Sequence, residues 1–270
     1  MSYFLPEGIK IKVDIFNGLK LKETHNYKAR PFVELLDKIC DDKDYSDKCE
    51  FSGDTDIIEE VRMMEKKGDK DVIIKKKIKK NIRIDIALRY TRDPVTFYDS
   101  YCNYTNTLEG GVHQDAFENC FCRYMVNKTR ATQTDIQKEK YKILWEDVKN
   151  GLCAVINLTT GAQVGFVGNA KNKVGNTELT PYLTKLINEG LERFFEKYPK
   201  VLNEYILIIK LNAKARVEAQ KVKTATQKER MSSLKEHELK NLIRCNNTGK
   251  KFKEIFLTEG DSAGGSASNG

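Results

Sequence analysis

Near the end of the chain a carboxylate, Glu259, follows a short apolar run, Ile255 to Leu257, and precedes Gly-Asp-Ser-Ala-Gly-Gly-Ser-Ala267. A carboxylate at the carboxyl end of a strand is exposed at the sheet mouth, where α/β folds bind ligands. Small residues after it permit a tight turn and the close approach of a large anion. Such a group can hold a hard divalent cation such as Mg2+ through oxygen, or move a proton during phosphoryl transfer. One carboxylate is not a two-metal site, and on the residues alone a plain turn is the simpler reading. A second candidate is the loop from Phe166 to Val174, rich in Gly and Asn, with cations at Lys171 and Lys173. An ammonium there suits a phosphate, although an isolated loop lysine is ordinary. Seven cysteines and three histidines (His25, His113, His237) are scattered without the spacing of a zinc site. Reduced thiols are the plain reading.

The elements that must position these groups are partly readable. Ile9, Ile11, Val13 and Ile15 alternate with polar residues, the period of a half-buried strand. Phe32 to Ile39 is a short amphipathic piece, and residues 41–60 read as an acidic, irregular, exposed insertion. The basic run Val72 to Lys80 is either a nucleic-acid patch or a solvated hairpin arm, and its strand-like flanks favour the arm. Ile82, Ile84, Ile86 and Leu88 mark the clearest strand, and Thr91 to Thr107 is a polar, aromatic stretch. Glu109-Gly-Gly-Val-His113 opens a helix whose apolar face is Ala116, Phe117, Cys120, Phe121, Tyr124 and Met125. His113 packs or caps near the paired glycines. Leu152 to Leu158 is a buried strand. Thr180 and Pro181 are an N-cap and first helical residue, followed by the stripe Leu183, Leu186, Ile187, Leu191, Phe194 and Phe195. From Leu202 to about Arg244 the pattern is helical, with a highly charged middle.

The 270 residues are 40% hydrophobic and carry 47 basic against 39 acidic side chains, a net charge of +8. No apolar run reaches the ~18 residues of a membrane span, and the first residues lack a signal-peptide pattern. Membrane proteins, secreted disulfide scaffolds and wholly disordered chains are excluded. The positive balance favours polyanionic partners, or reflects a generally Lys-rich composition.

As a whole string, Glu259 to Ala267 resembles the first TOPRIM motif of bacterial-type type II DNA topoisomerases, with Ser268 and Asn269 where the family usually has Lys-Gln. Further resemblances follow the same order along the chain. Phe4 to Ile11 is similar to the segment that ends the family's ATP-binding domain. Asn106-Thr-Leu-Glu-Gly-Gly-Val-His113 is similar to NT-x-EGGTH, and Glu146 to Ile156 to EDVREGL-x-AVI. Phe166 to Glu178 resembles the Gln-Thr-Lys loop, and Lys214-Ala-Arg-Val-Glu-Ala-Gln220 the start of the long helix before TOPRIM.

The resemblance implies an α+β fold: a transducer domain of the ribosomal-protein-five-like type, a long connecting helix, and the first strand of a TOPRIM α/β domain. The implied boundaries are residues 1–20 for the end of the ATP-binding (GHKL) domain and 21–211 for the transducer. Residues 212–250 are the connecting helix and linker, and 251–270 a truncated start of TOPRIM. It implies the ATPase subunit of an ATP-dependent enzyme that passes one DNA duplex through another. Cofactors would be ATP and Mg2+. Lys171 would contact the γ-phosphate and Asn169 take the place of the family's Gln, one methylene shorter. Ala170 cannot donate a side-chain hydrogen bond. Glu259 would be the catalytic carboxylate and a Mg2+ ligand in an incomplete site. Implied partners are double-stranded DNA and a breakage-reunion (A-type) subunit, in a homodimer within a heterotetramer. The ATP-binding and remaining TOPRIM segments would lie on flanking sequence or a companion chain, leaving this chain inactive alone. The location would be cytoplasmic, bacterial or phage. The alternative is a non-catalytic DNA-binding or assembly module of the same fold.

Overall fold

The computed structural model describes residues 2–4, 8–40, 46–67, 70–236 and 259. It divides into Met1–Val217 and Glu218–Gly270. In the first unit, β1 (Lys10–Asn17) and β2 (Lys20–Lys28) form an antiparallel hairpin. Next come α1 (Glu34–Ile39), β3 (Cys49–Lys67), β4 (Lys70–Tyr90), β5 (Phe97–Cys102) and β6 (Thr105–Asn106). Three helices follow, α2 (Val112–Ala131), α3 (Asp135–Lys140) and α4 (Trp145–Lys149), and then β7 (Leu152–Thr160), α5 (Thr180–Lys197) and α6 (Pro199–Glu236).

The larger sheet runs β3-β4-β7-β5-β6. The apolar run of β7 places it in the middle, buried along nearly all its length. It pairs antiparallel with Ile82–Tyr90 of β4 and parallel with β5. A parallel neighbour requires a crossover, and α2, α3 and α4 supply it. Alternation along β4 puts Ile82, Ile84, Ile86 and Leu88 on the helix-covered face, where they meet Phe117, Phe121 and Met125 of α2 and Leu183, Ile187 and Leu191 of α5. Ala87 and Val155 face the other way, into a small cluster with Leu35 and Leu36 of α1. Gly190 lets α5 lie against β3: a Cβ there would fall inside the Phe51 ring. Tyr205 ties α6 to the sheet, its hydroxyl donating to Asp47 O at 2.9 Å and Leu88 O at 3.2 Å.

Several expectations change. Residues from Cys49 onward are not an irregular insertion but a long strand, while 41–45 lie outside the described residues. Its odd positions, Cys49 to Ile57, face the helices, and its even positions, Glu50 to Glu60, face solvent. The acids find cations across the hairpin, Asp56 with Lys79 at 2.7 Å and Glu60 with Lys75 at 3.3 Å. The basic run is thus the solvated arm of that hairpin. Strand β1 exists, but it is exposed rather than half-buried. Thr180 is the first residue of α5 and Pro181 its second, because a 3-10 turn at Thr177–Leu179 runs straight into the helix and makes Leu179 the cap. The long helix begins at Pro199, where a proline in the first turn loses no intrahelical bond. Cys40 and Cys153 face each other across 113 residues, with Cα atoms 7.3 Å apart, wider than the span of an ordinary disulfide. Cys49, Cys102, Cys120 and Cys122 are free and buried. Burial pushes the Cys122 thiol up to about 12, which keeps it inert. The expected Ile255–Leu257 strand lies outside the described residues.

Candidate phosphate-facing loop and its anchor

The chain between β7 and α5 is held as a built loop. Val174 is its fixed point. Val112 N donates to Val174 O at 3.1 Å and Val174 N to Gly110 O at 3.1 Å, a short parallel bridge onto the start of α2. Glu109 N donates to Asn172 O at 2.9 Å. Gly111 permits this approach. Its φ of +130° is a glycine conformation, and a Cβ would overlap Val174 O, N and Cα. The paired glycines therefore grip a loop as well as open a helix. Inside the loop, Val167 N donates to Lys173 O at 2.8 Å and Gly175 N to Gly165 O at 2.8 Å. Asn176 braces it, accepting from Gly165 N at 2.6 Å and donating to Gln163 O at 3.2 Å.

Above these bonds Gly168, Asn169, Ala170 and Lys171 are exposed. Lys171 has φ +55°, a left-handed backbone that a side-chain-bearing residue adopts at a cost of roughly 1–2 kcal/mol. Such strain persists where the surroundings over-determine it, and the bonds on either side do so here. The structure brings Lys171 and Asn169 to one tip. No carboxylate stands within ion-pairing distance of Lys171 among the described residues. A free ammonium on a braced tip is a point charge available to a terminal phosphate.

Beneath the anchor, Ser100, Thr107 and His113 form a buried polar chain. Ser100 and Thr107 hydroxyls are 2.8 Å apart, and Thr107 Oγ1 is 3.4 Å from His113 Nε2. His113 packs here as expected, wholly buried, and burial holds its pKa down to about 4 from 6.5. As pH falls from 6.5 toward 4, the unfolded chain gains a proton that the folded chain refuses, so stability declines across that window. The expected loss is roughly 3 kcal/mol. Urea unfolding at stepped pH measures it; His113→Gln removes this part of the acid slope, and an unchanged slope contradicts the assignment.

A second constellation lies at the Glu146–Leu152 motif. Gly151 has φ +79°, and a Cβ there would lie 2.7 Å from Thr91 O. Asp147, buried, accepts Leu144 N at 2.8 Å and so caps α4. It also takes Arg216 of α6, with Nε to Oδ1 at 2.7 Å and Nη2 to Oδ2 at 3.1 Å. Asn212, one turn earlier, donates to Asp147 O at 3.0 Å and Asn150 O at 2.9 Å.

Comparison with known proteins fits this arrangement. The family described as DNA gyrase B matches residues 42–225, about two-thirds of the chain and all of both constellations. The chain belongs to the DNA gyrase B family. The gyrase B protein of Staphylococcus aureus is 34% identical over 193 residues, covering 71% of this chain and 29% of that protein. Its Staphylococcus epidermidis counterpart is 36% identical over 194 residues, with the same coverage. The chain thus spans 29% of the length of these relatives. In fold it resembles the 43K ATPase domain of Thermus thermophilus gyrase B, with a TM-score of 0.61 at 17% identity, covering 83% of this chain and 53% of that one. The ATP-binding domain of Francisella tularensis topoisomerase IV gives a TM-score of 0.52 at 17% identity, covering 80% and 51%. These likenesses support the mixed α/β architecture.

Glu259 lies beyond the matched gyrase B region. It is exposed, and the residues beside it lie outside the described ones. No group of three or more His, Cys, Asp or Glu able to hold a metal occurs among the described residues. The described residues therefore do not assemble a Mg2+ site. No described helix is long and apolar enough to cross a membrane. Val174, Asn212 and Arg216 stand in segments that are visible in the sequence, but their residue types and spacing there indicate no role. The signal for Val174 was a lone apolar residue between Lys173 and Gly175. For Arg216, nothing in the helical pattern distinguished it from its charged neighbours.

Proposed function

We propose that this chain is the coupling part of the ATPase subunit of a type II DNA topoisomerase. It relays ATP binding and hydrolysis to the passage of one duplex through another. The observation that carries this reading is Lys171, which meets no carboxylate among the described residues, on a tip braced by Val174 and Gly110-Gly111. In this reading Lys171 meets the terminal phosphate of ATP held by a neighbouring domain, and Asn169 stands beside it. Residues 21–211 form the transducer, 212–250 the connecting helix and linker, and 1–20 and 251–270 the margins of the ATP-binding and TOPRIM domains. Glu259 is the TOPRIM carboxylate, and ligands for Mg2+ come from elsewhere. The partners are double-stranded DNA and an A-type subunit, in a cytoplasmic heterotetramer.

The test joins this segment, in a protein of full gyrase B length, with an A-type partner. ATP-driven passage of DNA is expected, while the 270-residue chain alone turns over no ATP. DNA binding without ATP-driven passage favours the non-catalytic module. Clear ATP turnover by the chain alone contradicts the proposal.

A further inference from the structure

We propose that the outer part of the β3–β4 hairpin is an arm that binds duplex DNA through a row of cations on one face. Duplex DNA as the polyanion rests on the function proposed above; the phosphate-binding row itself does not. Strand β7 pairs with β4 only from Ile82 to Tyr90. From Asn81 outward, β3 and β4 therefore continue as a two-stranded ribbon as far as the pair Lys67 and Lys70. At about 3.4 Å per residue this ribbon is roughly 35–40 Å long. Among the described side chains of β4, the buried ones begin only at Ile82, so the arm is more strand than the core uses.

The register decides which charges share a face. Lys75 stands opposite Arg62, Lys77 opposite Glu60, Lys79 opposite Ile58 and Asn81 opposite Asp56. By strand alternation these lie on the face turned away from the helices, and all are exposed. The carboxylates are already answered, Asp56 by Lys79 at 2.7 Å and Glu60 by Lys75 at 3.3 Å. Arg62 and Lys77 meet no carboxylate among the described side chains, so the face keeps a positive excess. Alternate residues of a strand are about 6.8 Å apart on one face. That is twice the roughly 3.4 Å axial step between phosphates on one DNA strand. Such a row selects a polymer of phosphates over a single one. A two-stranded ribbon also fits the major groove. Next along the row, Met64 and Ile73 stand opposite each other and exposed, an apolar pair suited to the thymine methyl.

The test titrates the 270-residue chain against a fluorescent mixed-sequence duplex of about 30 base pairs and follows anisotropy at stepped salt. Arg62→Gln with Lys77→Gln should weaken binding about tenfold and lower the slope of log K against log salt by about two. Lys140→Gln with Lys142→Gln removes the same charge from exposed positions off the arm and should change affinity less than about twofold. Circular dichroism establishes that each variant is folded. A second measurement needs no variant: acetylation of the unaltered chain, with and without duplex, should show Lys75 and Lys77 protected and Lys140 and Lys142 not. Equal weakening by the two pairs, or no protection at Lys77, overturns the arm. Tighter binding to phosphatidylglycerol vesicles than to duplex, lost in the arm variant, overturns DNA as the partner. ATP-driven passage by the full-length protein tests the parent function separately. Its absence, with arm-dependent duplex binding intact, ends that function and leaves the arm contact established.

Discussion

Replacing Gly111 with alanine is expected to destabilise the fold by about 3–5 kcal/mol and to release the Lys171 loop. Two costs combine. At φ +130° and ψ −167° the backbone is in a region used almost only by glycine, worth roughly 1–3 kcal/mol for alanine. The new Cβ would also overlap the Val174 backbone, with the Cα at 2.9 Å, and backbone cannot swing aside as a side chain can. Relief requires parting the bridge, which breaks the Val112–Val174 and Val174–Gly110 bonds, each worth about 1 kcal/mol net. Gly168→Ala is the control. Its φ of +79° carries the conformational cost, but nothing lies within 4 Å of the added carbon. It should lose only about 1 kcal/mol. Denaturant unfolding of both variants measures the difference. Equal losses would show that Gly111 serves the backbone angle alone and does not hold the loop.

Lys171→Ala is expected to have the opposite profile, with little change in stability and a large change in function. The side chain is exposed and has no ion pair among the described residues, so unfolding should shift by no more than about 0.5 kcal/mol. In the full-length protein the lost charge-assisted contact to phosphate is worth roughly 1.5–3 kcal/mol, or about 10- to 100-fold in ATP-driven DNA passage. Lys173→Ala is the comparison, since Lys173 contributes its carbonyl to the loop bond from Val167 N and needs no side chain to do so. Steady-state passage and ATP turnover for the three proteins give the result. Equal effects at the two lysines would reduce Lys171 to general positive charge.

Much of the fold was legible where one residue class repeats without interruption. The Ile82–Leu88 alternation and the Leu152–Leu158 run gave β4 and β7. The stripes of α2 and α5 placed Phe117, Phe121, Leu183 and Leu191 in the core, where they stand. Strand β3 was hidden because Gly53 and Thr55 interrupt its inward positions Cys49, Phe51 and Ile57, while Glu50, Asp54, Asp56 and Glu60 dominate the outward ones. The charge pattern therefore outweighed an alternation that burial makes plain. β5 was hidden within a polar stretch because Tyr98 and Tyr101 are half-buried, and its parallel partner is some fifty residues away in the register Phe97 to Cys153. Of the loop, the string containing Lys171 was readable. Its grip on Gly111 was not, because a backbone bridge across more than sixty residues leaves no side-chain signature. The Asp147–Arg216 pair was hidden for a similar reason: on one helix Arg216 is one charge among many, and only the fold brings it to a buried carboxylate.

In the proposed function the Lys171 tip meets the terminal phosphate of a bound nucleotide. The most direct measurement uses an ATP analogue with an amine-reactive group on its γ-phosphate, incubated with the full-length protein, followed by peptide mapping of the labelled lysines. The account predicts that the label falls on Lys171, is displaced by excess ATP, and is lost in Gly111→Ala, where the tip is no longer held. ATP-displaceable label elsewhere with Lys171 unmodified would contradict it.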